Sequence, residues 1–162
     1  MKLRMMFMSV LYALSTKLFA YSFTTDFNQG FYWASFPIKM SKFAVDASEG
    51  QLLSTLVEQA ENEWESAVGQ EIWEMNPSYS LGAASGNNIR WSNNFSAETG
   101  YDSVGTLAVA IRYQAGTHIV KTEIILNGQM WALRNNLNNM LYTTILLELG
   151  HTIGIGHSEQ YA

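Results

Sequence analysis

The segment Leu137–Gly150, LNNMLYTTILLELG, is apolar on nearly every side when wound as a helix. Such a helix has no face suited to water, so it must lie inside a domain, covered by other layers. The covering material is legible upstream. In DASEGQLLSTLVEQAENEWESAVG, the residues Leu52, Leu53, Leu56, Val57, Ala60, Trp64, Ala67 and Val68 recur every three or four positions. That spacing predicts a helix with one apolar face. Asp46 followed by Glu49 predicts a capping box at its start, and Gly69 predicts its stop. Five runs read as strands: Ile38 to Val45 after Pro37, Glu71 to Met75, IRWSN from Ile89, Gly105 to Gln114, and Ile119 to Asn127. The last two flank a turn at Ala115–Gly116. NPSYSLGAASGNN, dense in turn formers, is expected to be a loop. Strand, helix, several strands, helix is the order of an α/β (α+β) fold, here a twisted mixed sheet of about five strands with two long helices.

The first twenty residues, MKLRMMFMSVLYALSTKLFA, read as a secretory signal peptide: Lys2 and Arg4 lead a short apolar run, and Ala20 offers a cleavage point. The run is shorter than the roughly 20 apolar residues that span a bilayer. The expected organisation is a signal at 1–20, an aromatic N-terminal arm at 21–36, and one domain at 37–162, in a secreted (extracellular or periplasmic) protein. Loss of Lys2, Arg4 and Lys17 from nine basic residues leaves six against fourteen acidic ones, a formal charge of −8. Such a balance argues against nucleic acid and against anionic membrane as partners. There is no cysteine, so no disulfide, cysteine nucleophile or cysteine metal ligand is available.

The apolar helix runs into LLELGHTIGIGHS. Glu148, His151, Gly154 and His157 form E-x-x-H-x-x-G-x-x-H. Residues four apart share a helix face, so position 147 and His151 should point the same way. Gly154, lacking a Cβ, allows a sharp turn after the helix. That turn would bring His157 back beside His151. Imidazoles gathered around an open position are the donor set of a catalytic zinc site, and Glu148 would stand next to its water.

These residues resemble the signature of the metzincin zinc endopeptidases, matrixin-like in type, H-E-x-x-H-x-x-G-x-x-H. Here it reads L-E-L-G-H-T-I-G-I-G-H, matching at four of five fixed positions. W-x-x-x-x-P-I from Trp33, the helix carrying Trp64, and TEIILN before Trp131 are similar to family features too. The resemblance covers residues 31 to 158. It implies a zincin fold, peptide-bond hydrolysis with Glu148 as catalytic base, His151 and His157 as metal ligands, Zn2+ as cofactor with structural Ca2+ as a further cation, and a peptide or protein as substrate.

Two departures temper that expectation. Leu147 stands where the first histidine ligand would be, and leucine has no lone pair for a metal. The chain also reaches Ala162 without the Met-containing turn and final helix that the resemblance implies. Little or no turnover is therefore expected. The alternatives are a non-catalytic pseudo-protease that binds peptides or partners, and a carbohydrate- or surface-binding domain built on its tryptophans. His118, after the turn AGTH, reads as a surface residue.

Overall fold

The computed structural model describes residues 24–157. The expected signal peptide, the first residues of the arm and the last five residues lie outside that range. In chain order the elements are α1 (Thr25–Asn28), β1 (Tyr32–Trp33), β2 (Ile38–Ala44), α2 (Ala47–Val68), β3 (Trp73–Leu81), β4 (Asn88–Ser92), α3 (Phe95–Thr99), β5 (Ala108–Ala115), β6 (His118–Asn127), α4 (Trp131–Arg134), a 3-10 turn (Leu137–Asn139) and α5 (Met140–Thr152).

The sheet is mixed and six-stranded, ordered β3-β2-β4-β6-β5, with β1 extending alongside the start of β6. Every pairing is parallel except β5 with β6, a hairpin turned at Gly116. An α/β architecture with two long helices is thus shown. It has one strand more than expected, because Tyr32–Trp33 of the arm pairs with His118–Ile119. The arm is not a loop: it holds α1 and β1.

Several boundaries differ from expectation, β5 beginning at Ala108 rather than Gly105 among them, and two have a clear physical reason. β3 continues through Asn76–Leu81, where turn formers suggested a loop. Tyr79, Ser80 and Leu81 pair with Lys42, Phe43 and Ala44, so a ready strand partner overrides local preference. Pro77 falls in the register shift between those pairs and Met40–Met75, where its missing N–H costs no ladder bond. The last helix begins at Met140 rather than Leu137. Asn136, Asn138 and Asn139 all take positive φ, a conformation asparagine tolerates better than most residues. Asn136 Oδ1 then accepts from the Tyr142 N–H, satisfying a donor the helix start leaves free.

The capping box forms as predicted. Asp46 accepts from the Glu49 N–H at 2.8 Å, and Glu49 reaches back to the Val45 N–H at 2.9 Å. Gly69 closes α2 in the left-handed region. α2 and α5 both cover one face of the sheet and pack on each other. Leu53, Val57, Ile89, Ile124, Leu141 and Ile145 are among the fully enclosed side chains between these layers.

Tryptophan joins the two helices. The Trp64 indole N–H donates to the Leu146 carbonyl at 2.8 Å, and its ring fills the space over Gly150. A Cβ at position 150 would meet Trp64 Cζ2 at 2.9 Å. Gly150→Ala is therefore expected to destabilise the fold by about 1–2 kcal/mol. The overpacking penalty of roughly 1–3 kcal/mol exceeds the helix-propensity gain of about 1 kcal/mol. Urea unfolding checks this; unchanged or increased stability would show that the indole moves aside freely.

Candidate active site

The site is built on the end of α5, and its geometry follows from how that end is closed. The last carbonyls of a helix lack intrahelical partners. Here each finds one. The Gly150 carbonyl accepts from Ile155 N–H at 3.0 Å, and the His151 carbonyl accepts from Gly154 N–H at 3.1 Å. With Gly154 at φ +94°, this is a Schellman turn, which needs a left-handed residue that glycine supplies without strain. The Leu149 carbonyl accepts from Thr152 Oγ1 at 2.7 Å. The Thr152 carbonyl accepts from the Trp33 indole N–H at 2.8 Å. Trp73 Nε1 donates to Thr152 Oγ1 at 3.1 Å, and Arg112 of β5 also donates to the His151 carbonyl.

The Schellman turn carries Ile155 back over His151. The Ile155 carbonyl lies 2.5 Å from His151 Nδ1. A carbonyl can only accept, so it fixes the tautomer with the proton on Nδ1 and leaves Nε2 with a free lone pair. Burial pushes the His151 pKa down, with His157 and Arg112 acting the same way against the Ile155 bond. Neutral imidazole is the form that binds metal. The His157 ring returns beside it, centroids 4.7 Å apart and planes tilted by 57°.

Glu148 lies one turn before His151 and is 5% exposed. Burial raises its pKa to about 7, opposed by a hydrogen bond with the Ala110 backbone and by the Arg112 charge. Its Oε2 is buried without a hydrogen-bond partner. A carboxyl group titrating near neutrality can take up and release a proton at working pH. Leu147, on the His151 side of the helix, is half-buried.

Of the sequence-derived residues, His151 and His157 are brought together at one helix end, and Glu148 lies one turn earlier on the same helix. The two imidazoles suit zinc in kind, with metal–nitrogen bonds of about 2.0–2.1 Å. They fall one short of three. Among the described residues no group of three His, Cys, Asp or Glu side chains gathers as a metal site, and none is assigned to calcium. His118 is half-buried and stacks edge-on against Tyr32 at 5.0 Å. Sequence reasoning missed Arg112, Thr152 and the indole anchors.

No family model matches the chain, and no curated protein matches it.

Because Glu148 has a raised folded-state pKa, its charged form is disfavoured by folding. Its contribution is fully present below the ordinary carboxylate pKa of 4.5 and is lost as pH rises through about 7. Glu148→Gln should match the parent near pH 4 and exceed it by roughly 2–3 kcal/mol at pH 8, in chelator. Denaturant unfolding at both pH values tests this; an equal gap at both would show that Glu148 does not titrate between them.

Proposed function

We propose that this chain carries a secreted, matrixin-like metzincin domain: a zinc-dependent metalloendopeptidase scaffold whose hydrolysis of peptide bonds is impaired by Leu147. One observation carries the reading. The His151 and His157 rings stand 4.7 Å apart at a glycine-closed helix end, with the buried carboxyl of Glu148 one turn behind. His151 and His157 would hold the ion, which supplies an activated water and carbonyl polarisation when bound. Glu148 would receive the proton of the attacking water and pass it to the leaving amine, a role suited to a carboxyl group with a pKa of about 7. Ile153 and Ile155 are buried beside that end of the helix, and His157 is exposed to solvent.

β5 pairs only with β6 among the described strands. An extended peptide could therefore add as a further strand along its other edge. Arg112 and Ala110 tie this strand to His151 and Glu148, so a peptide on that edge would lie beside the site.

Leu147 itself favours a second reading, a non-catalytic domain that binds peptides along the same edge without turnover. The carbohydrate-binding alternative has less to support it. Trp73 and Trp91 are buried, Trp33 and Trp64 are partly buried against the core, and Trp131 alone is widely exposed. No helix among the described residues is long and apolar enough to cross a membrane.

Zinc titration of the chain as written and of Leu147→His separates these readings. Loss of a single supporting partner around a metal costs about 10–100-fold in affinity, and loss of a ligand costs more. Restoring the histidine should give one tightly bound zinc, at least ~100-fold tighter than the parent. It should also give peptide cleavage that falls about 10²–10⁴-fold in Leu147→His/Glu148→Gln. If neither form binds zinc, or both bind it equally, the metalloprotease reading fails. Saturable peptide binding that survives chelation would then leave the second.

A further inference from the structure

The loop between His151 and His157 is held from a distant part of the chain. The Thr24 N–H donates to the Gly154 carbonyl at 2.9 Å, and Thr24 Oγ1 donates to the same oxygen at 3.3 Å. The Phe27 side chain lies against Gly154, so close that a Cβ there would meet Phe27 Cδ2 at 2.5 Å. The Trp33 indole N–H takes the Thr152 carbonyl at 2.8 Å. Tyr32 and Trp33 are themselves fixed by pairing with His118 and Ile119. These contacts flank the turn on which the imidazole spacing depends, and they come from residues 119 and 130 positions away.

We infer that Trp33 and Phe27 are positioning residues for the histidine pair: the segment Thr24–Trp33 clamps Thr152 and Gly154 and thereby sets the separation of His151 and His157. The inference deepens the metal-site reading above and rests on it for its purpose, but the clamp acts in the metal-free chain as well. Trp33 works through hydrogen bonding. The Thr152 carbonyl is one of the helix-end groups that cannot be satisfied within α5. With the indole N–H gone, that carbonyl must be satisfied by water, which loosens the turn. Phe27 works through shape. It covers the one residue whose left-handed backbone and missing side chain allow close approach. The aromatic arm thus does for the site what a neighbouring hydrogen-bond partner does for a metal ligand: it limits orientation.

The test uses Trp33→Phe, which removes the N–H and keeps an aromatic ring, and Phe27→Ala, each in the full chain and in Leu147→His. The first readout needs no metal: amide hydrogen exchange at Ile153, Gly154 and Ile155, compared with core amides of β6. Both variants should exchange at least ~10-fold faster in this turn, with β6 unchanged. The second readout is zinc affinity and the visible spectrum of bound cobalt in Leu147→His. Affinity should fall about 10–100-fold and the cobalt bands should shift. Exchange in the turn that is unchanged, or faster only in step with β6, would overturn the inference by reducing the contacts to general stability. If Leu147→His binds no zinc at all, the metal-site reading fails, and the exchange measurement still decides the clamp by itself.

Discussion

Everything about the site depends on how the carbonyls at the end of α5 are satisfied. A buried helix cannot leave those groups to water, and a β-sheet on one side leaves little room for side-chain caps. The solution distributes the work. Two backbone N–H groups of the Gly154 turn, one threonine hydroxyl, one indole and one guanidinium take the oxygens of Leu149, Gly150, His151 and Thr152. The turn that satisfies Gly150 and His151 is also what swings Ile155 and His157 back over the helix end. Helix closure and site geometry are therefore one event, and a change that opens the turn would disturb both.

The same economy governs the tryptophans. A buried indole needs a partner for its N–H, and here three indoles find theirs on α5: Trp64 at Leu146, Trp33 and Trp73 at Thr152. The core-facing side of this helix is apolar, from Leu141 and Ile145 to Leu149, and cannot by itself fix its depth and rotation. Hydrogen bonds from outside supply that definition. Gly150 lets Trp64 approach, and Gly154 lets Phe27 approach. The two glycines admit an aromatic ring from α2 on one side and from the arm on the other. The electrostatics follow from this close packing. Burial without a partner for Oε2 lifts the Glu148 pKa towards neutrality, and burial lowers that of His151.

Leu147 marks the point where chemistry and packing part. It shares the His151 side of the helix, yet it brings no donor atom. The helix tolerates it because leucine is a good helix former and because the turn beyond is fixed by other contacts. A helix end braced through its backbone keeps its shape whatever side chain stands at position 147. The His151 and His157 rings accordingly lie 4.7 Å apart there.

Much of this was legible along the chain. The capping box at Asp46 and Glu49, the apolar face of α2, the stop at Gly69 and the turn at Gly154 are local. They depend on residues within a few positions of one another, so spacing and residue type decide them. The return of His157 beside His151 was legible for the same reason. The extension of β3 past Pro77, the delayed start of α5 after three left-handed asparagines, and the folding of the arm into α1 and β1 were not. The first and last depend on a partner far along the chain: β2 for β3, Gly154 and β6 for the arm; the helix start turns on Asn136 capping Tyr142 from a left-handed backbone that spacing does not announce. The roles of Trp33, Trp73 and Arg112 belong with these, because hydrogen bonds spanning 119, 79 and 39 residues leave no periodic trace. Local chemistry wrote the motif; only the closing of the sheet and the packing of distant aromatic rings decided what holds it in place.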